Sequence, residues 1–133
     1  MIMKIKPDYQ KSKALIEMAK VTFERLNKTE IYKYPTNTLT DYYDILHKLM
    51  ESLALVNGVK TKGEGAHQEL IDYICKTYSF SESIRIFLQE MRDYRNRTSY
   101  EGFMVNQDYI KSNLNQIKSI IADLGKLLNV RIF

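Results

Sequence analysis

The chain has 133 residues, of which 44% are hydrophobic, and it carries 20 Lys and Arg against 16 Asp and Glu, a formal charge of +4. This suits one soluble domain, and no apolar run approaches the ~18 residues of a membrane span. Cys75 is the only cysteine, which excludes an intramolecular disulfide and a thiolate zinc site and is typical of a reducing cytoplasm. The basic excess permits an RNA or DNA partner without requiring one.

The chain is expected to be helical rather than all-β, because it contains only 5 Gly and 2 Pro. Residues 1–6 show no pattern and are expected to be loosely held. Pro7 and Asp8 are typical of a first helical turn, and we expect the helix to run to about Asn27. Its predicted inner face consists of Leu15, Met18, Ala19, Thr22, Phe23 and Leu26.

A connection over residues 28–36 leads to a second predicted helix. Pro35 prevents a helix from running through this connection, and residues 37–40 offer caps for the next one. The second helix is expected to end at Asn57-Gly58. It has an inner face and an acidic side, and one acidic residue can meet the arginines across the bundle. The inner residues are Leu39, Tyr43, Leu46, Met50 and Leu53, and the acidic ones are Asp41, Asp44 and Glu51.

Both histidines have an ordinary and a functional interpretation. His47 lies beside the apolar stripe of the second helix, where a histidine is usually a boundary residue. The basic loop 58–65 contains Gly63-x-Gly65, which weakly resembles a phosphate cradle and is more simply an interhelical loop. A third helix is predicted from Ala66 to Tyr78. His67 in its first turn can reach an anion or a carboxylate, or face solvent.

Two further helices complete the prediction. Ser81 is a good N-cap for the fourth, which Glu101-Gly102 should end. The fifth, from about Gln107 to Leu128, has apolar residues spaced by four and three, which favours a central core helix or a dimer helix. Residues 129–133 form a short apolar tail. With no convincing strand, the five segments predict an all-α, up-and-down bundle over residues 1–133.

Arg95 is the most informative residue, because it occupies an apolar position. Ile84, Leu88 and Met91 share one helical face, and the next position on that face is Arg95. Arginine rarely buries without a partner, so a cleft or a subunit interface is one interpretation. The other is a solvated helix C-terminus, where arginine meets partial negative charge and pairs with Asp93 or Glu101.

The segment Arg95-Asn96-Arg97-x-x-Tyr100-Glu101-Gly102, with Gly65-Ala66-His67-x-x-Leu70-Ile71 before it, resembles HEPN domains. These are helical bundles of prokaryotic toxin–antitoxin and defence systems, and the resemblance is to HepT-like and archaeal forms that carry a tyrosine. By helix order and length it extends over roughly residues 7–128. The family signature is Arg, a polar residue and then His, and Tyr100 stands where the histidine is expected.

The resemblance implies a homodimer in which one cleft contains both motifs and cleaves RNA without metal or cofactor. The ribose 2′-hydroxyl attacks the adjacent phosphate, the histidine moves protons, and the arginine stabilises charge. Carried onto this chain, the candidate catalytic residues are Arg95, Asn96 and Tyr100. Arg92, Arg97 and His67 are candidates for binding phosphate or RNA.

The tyrosine makes catalysis harder, because with a pKa near 10 only about one phenol in a thousand is ionised at pH 7. We therefore expect an RNA- or nucleotide-binding protein with weak or absent ribonuclease activity. Two alternatives remain: an active endoribonuclease toxin, and a non-catalytic subunit paired with a nucleotidyltransferase. The tyrosine that such a partner modifies lies just beyond the histidine position, where this chain has Gly102.

Overall fold

The computed structural model describes residues 1–132, and over this range the chain is an all-α bundle of five helices with one small sheet. The predicted fold class is confirmed. The helices are α1 (Tyr9–Leu26), α2 (Pro35–Val56), α3 (Ala66–Thr77), α4 (Glu82–Tyr100) and α5 (Gln107–Leu127). The strands are β1 (Ile2–Lys4) and β2 (Val59–Thr61), paired antiparallel. No helix within residues 1–132 is long and apolar enough to cross a membrane.

Helix α2 is the centre of the bundle, since it packs against each of the other four helices. The fifth helix was predicted to be a central core helix or a dimer helix; it contributes to the core, but the central position belongs to α2. A central helix must be apolar on more than one side, and α2 buries residues around most of its circumference, whereas α5 has a narrower apolar stripe. The buried residues of α2 are Thr38, Leu39, Tyr42, Tyr43, Ile45, Leu46, Leu49, Met50, Ser52, Leu53, Ala54 and Leu55.

Local capping explains most helix boundaries. The Asp8 carboxylate accepts a hydrogen bond from the Lys11 amide at 2.9 Å, and the Ser81 hydroxyl accepts one from Ile84 at 3.2 Å, as predicted for Ser81. Helix α2 begins at Pro35, earlier than predicted. Proline lacks only an amide proton that the first helical turn leaves unpaired, so it starts this helix instead of blocking it.

The inner face of α1 differs from the prediction: Ser12 and Ile16 are buried although they were not predicted, Met18 is exposed, and Leu15 and Thr22 are only partly buried. Met18 is 53% exposed, whereas Ile16 is buried with Ala19 and Phe23. Ile16 precedes Ala19 by three residues and Phe23 by seven, so these residues share one helical face. Met18 lies to the side of this face and meets solvent.

The first residues of the chain are held in place, in contrast to the loose start that we predicted. Strand β1 pairs with β2 in the register Ile2 with Thr61 and Lys4 with Val59. The terminal amino group also forms an ion pair with Glu69. The pairing depends on backbone groups, and all three residues of β1 are exposed, so no hydrophobic alternation marked the strand in the sequence.

The end of the chain folds back on α5. The Val130 amide donates to the Gly125 carbonyl at 2.9 Å, and Val130 and Ile132 pack against the core. A side chain at Gly125 would lie 2.9 Å from the Val130 carbonyl oxygen, so this approach requires glycine. The predicted tail over residues 129–133 is thus partly packed, and Phe133 lies outside the described residues.

Candidate functional site

The side chain of Arg95 reaches a surface cleft from the core side of α4. Leu88 and Met91, on the same helical face, are buried, and Arg95 is partly buried. Its Nε atom is buried and has no hydrogen-bond partner. Arg95 also makes no ion pair within residues 1–132. Neither Asp93 nor Glu101 neutralises this guanidinium, so it is not simply a paired, solvated helix end.

The cleft lies between the start of α3 and the second half of α4, and its volume is about 250 Å³. Two arginines and no Asp or Glu line it. The lining residues are Gly63, Gly65, Ala66, His67, Gln68, Arg92, Arg95, Asn96 and Tyr100. Arg92 Nε donates to the Gln89 side-chain oxygen at 2.8 Å, so its guanidinium is held at the rim. The cleft is therefore cationic and suits an anion.

The N-terminus of α3 adds to this positive potential. Gly65 precedes α3 with φ +77°, a left-handed conformation that glycine adopts without strain, and no side chain caps the helix. The first residues of α3, Ala66 to Gln68, line the cleft. Unpaired amides at a helix N-terminus carry partial positive charge and favour phosphate oxygens.

His67 belongs to a stack of rings that extends from the cleft into the core. Its Nδ1 atom lies 3.3 Å from the Tyr43 hydroxyl. Its ring lies 4.0 Å from the His47 ring, centroid to centroid, with 25° between the planes. Tyr43 and His47 are one turn apart on α2, so α2 supports the histidine that α3 presents to the cleft.

Burial and nearby positive charge keep both imidazoles neutral. Burial, followed by the charges of His67, Lys48 and Arg95, lowers the pKa of His47 to about 3. Burial and the Arg95 guanidinium lower the pKa of His67 below its ordinary value. Burial raises the pKa of Tyr43 and keeps the phenol protonated. At pH 7 His67 is therefore a hydrogen-bonding group and a proton acceptor rather than a cation.

Not all predicted site residues come together. Arg92, Arg95, Asn96, His67 and Tyr100 line the cleft, although Tyr100 is 83% exposed. Arg97 is directed elsewhere: its Nε donates to Glu101 at 3.3 Å, and its guanidinium lies 4.4 Å from the centroid of the Phe103 ring.

The acidic side of α2 does not reach Arg95. Asp41 pairs with Arg25 at 2.7 Å, and Glu51 lies 3.9 Å from Lys11. Asp41 and Glu51 thus form ion pairs with α1 and none with Arg95. Two site residues were missed as such in the sequence, Tyr43 and His47. With Glu51 they form an i, i+4, i+8 row on α2, which is the one local signal that pointed to them.

No protein-family model matches this chain, and it has no significant similarity to a curated protein or to a solved structure. The function must therefore be argued from the cleft itself. Within residues 1–132, no group of three or more His, Cys, Asp or Glu side chains is arranged to hold a metal ion.

Proposed function

We propose that this protein binds RNA, or a nucleotide, through a phosphate that lies on Arg95 in the cleft. The observation that carries the proposal is the buried Arg95 Nε without a hydrogen-bond partner. A buried guanidinium N–H without a partner is costly, and a phosphate oxygen would supply a charge-assisted hydrogen bond. A bound phosphate would therefore supply the hydrogen-bond partner that Arg95 Nε lacks within the fold.

The rest of the cleft supports an anion rather than a cation or an apolar ligand. Arg92 adds a second positive charge, the α3 N-terminus adds unpaired amides, and no carboxylate competes. Asn96 can donate to a phosphate or sugar oxygen. His67 is neutral and adds a hydrogen bond without repelling the arginines.

Arg95→Ala tests the proposal with a short, fluorescently labelled single-stranded RNA. We expect affinity to fall about 10- to 100-fold, because one or two charge-assisted hydrogen bonds are lost. The slope of log affinity against log salt should fall by about 0.7 for the lost phosphate contact. Fluorescence anisotropy over a salt series measures both.

Lys126→Ala is the matched control, since it removes the same charge from the last turn of α5, outside the cleft. This variant should bind RNA nearly as the parent chain does. Equal affinity of the parent chain and Arg95→Ala for RNA would contradict the proposal.

Metal-independent cleavage of the bound RNA is the second candidate function, and the position of His67 beside Arg95 favours it. In the tautomer that donates Nδ1–H to the Tyr43 oxygen, Nε2 can accept the proton of the ribose 2′-hydroxyl. The 2′-oxygen then bonds to phosphorus, the bond to the 5′-oxygen breaks, and that oxygen takes a proton from water. Arg95 stabilises the phosphorane charge. His67 thus takes the role that the motif assigns to the position of Tyr100.

Cleavage in the presence of a chelator, with a 2′,3′-cyclic phosphate product, tests this candidate. His67→Ala should abolish cleavage yet bind RNA within severalfold of the parent chain, whereas Tyr100→Phe should cleave normally because Tyr100 is exposed. No cleavage by the parent chain would leave binding as the function. Cleavage that persists in His67→Ala and in Arg95→Ala would come from a contaminant.

Membership of the HEPN family, a homodimer, a nucleotidyltransferase partner and a cytoplasmic location stay predictions. One feature supports an interface at the cleft: Tyr100 and Met104, at and beyond the end of α4, are 83% and 79% exposed. In a dimer built around the arginine helices, such side chains would be covered.

A further inference from the structure

A second cavity of about 190 Å³ adjoins the cleft. It lies between α2, β2 and the start of α3, and it shares Ala66 and His67 with the cleft. His67 is thus a wall common to both spaces. The cleft is cationic, whereas the second cavity combines apolar walls with one polar end, so the two suit different parts of one ligand.

Several residues that line the second cavity are apolar, and Lys60 and Thr61 of β2 line it as well. Ala54, Leu55 and Leu70 are each at most 2% exposed, and Val59 of β2 also lines the space. The stacked rings of His47 and His67 form another side. Aliphatic side chains and imidazole faces are the surfaces on which heteroaromatic rings stack.

The polar end can hydrogen-bond to the edge of such a ring. His47 Nδ1 lies 3.8 Å from a Glu51 carboxylate oxygen, which is too far for a hydrogen bond. Within residues 1–132, neither ring nitrogen of His47 has a hydrogen-bond partner. A neutral imidazole offers one donor and one acceptor, and a carboxylate offers acceptors. The edge of a nucleobase carries adjacent hydrogen-bond donors and acceptors, which can pair with these groups.

We propose that the second cavity is the base subsite for a nucleotide whose phosphate lies on Arg95. The ring stacks among Leu70, Val59 and the His47–His67 pair, and its edge meets Glu51 and His47. This inference rests on the proposed function and narrows it, because the ligand is then a nucleotide whose phosphate and base are both bound by the protein. The base adds affinity that a sugar phosphate alone lacks.

Ribose 5-phosphate and the four ribonucleoside 5′-monophosphates are the probes, measured by isothermal titration. We expect at least one nucleotide to bind about tenfold more tightly than ribose 5-phosphate, since stacking of one base commonly has this effect. Val59→Phe fills the cavity. It should therefore remove the higher affinity for the nucleotide and leave the affinity for ribose 5-phosphate unchanged. Val21→Phe, at a position 65% exposed on α1, makes the same substitution elsewhere and should change nothing.

Glu51→Gln is the second variant, in case the larger side chain at Val59 prevents folding. It replaces an acceptor by an amide of the same shape, and we expect it to reduce the advantage of the preferred nucleotide severalfold. Retention of the full advantage in every folded variant would overturn the inference. Circular dichroism of each variant checks that it folds.

The outcomes separate the two proposals. If ribose 5-phosphate binds and Arg95→Ala abolishes this, but no base adds affinity, the base subsite is wrong and the phosphate site stands. If no probe binds, or if all bind equally to Arg95→Ala, both proposals fail. A pentaribonucleotide of the preferred base identifies the source of the nucleotide: tighter binding than the monophosphate indicates RNA, and weaker binding indicates a free nucleotide.

Discussion

Arg95, His47 and His67 form a site in which the hydrogen-bonding capacity of each side chain is only partly used. Arg95 Nε is buried without a partner, and His47 and His67 are stacked and kept neutral. Partly unpaired polar groups cost stability, and proteins tolerate that cost chiefly where a ligand removes it. The positive charge of Arg95 helps to keep His67 neutral, because it disfavours a proton on the neighbouring imidazole.

The partly buried His47 should make the protein less stable in acid. Its pKa is lowered to about 3 from the ordinary 6.5. Below pH 6.5 the unfolded chain therefore binds a proton that the folded chain does not. The free energy of unfolding consequently decreases as the pH is lowered. From pH 8 to pH 5 the loss should be about 2 kcal/mol.

His47→Phe isolates this contribution, because it keeps a ring against His67 but cannot titrate. Urea unfolding of both proteins at pH 8 and pH 5 measures the loss. We expect the variant to lose about 2 kcal/mol less than the parent chain over this interval. Equal losses would mean that His47 is protonated in the folded protein.

At the scale of elements, local signals in the sequence were sufficient for most helices. Helix α3 was predicted over Ala66 to Tyr78 and is found over Ala66–Thr77, and Ser81 caps α4 as predicted. Periodicity and capping depend on residues a few positions apart, so they can be read from a single sequence. The unusual position of Arg95 on its apolar stripe was visible for the same reason.

The features that could not be predicted depend on contacts between distant segments. Strands β1 and β2 pair across more than fifty residues, and β1 is exposed throughout, so no burial pattern marks it. The His47–His67 stack joins α2 to α3, and no local pattern in the sequence shows that these two rings meet. Arg97 lay in the predicted cluster, but Phe103 and Glu101 hold it outside the cleft.

On the scale of the whole molecule, the site is assembled by the packing of three helices. Helix α2 supports the ring stack, α3 contributes His67 and its N-terminus, and α4 contributes the arginines. Since α2 contacts all four other helices, a defect in its core should be transmitted to the entire bundle and to the site. Stability and ligand binding should therefore be lost together.

Leu46→Ala tests this coupling at the residue next to His47. Leu46 is 0% exposed, and the cavity left by the lost side chain should lower the free energy of unfolding by about 2–5 kcal/mol. Chemical denaturation followed by circular dichroism and tyrosine fluorescence should show one shared transition. Ile86→Ala, at a position 55% exposed on α4, makes a similar truncation and should change stability by only about 0.5 kcal/mol. Two separate transitions in Leu46→Ala, or a loss no larger than in the control, would show that α2 does not unite the bundle.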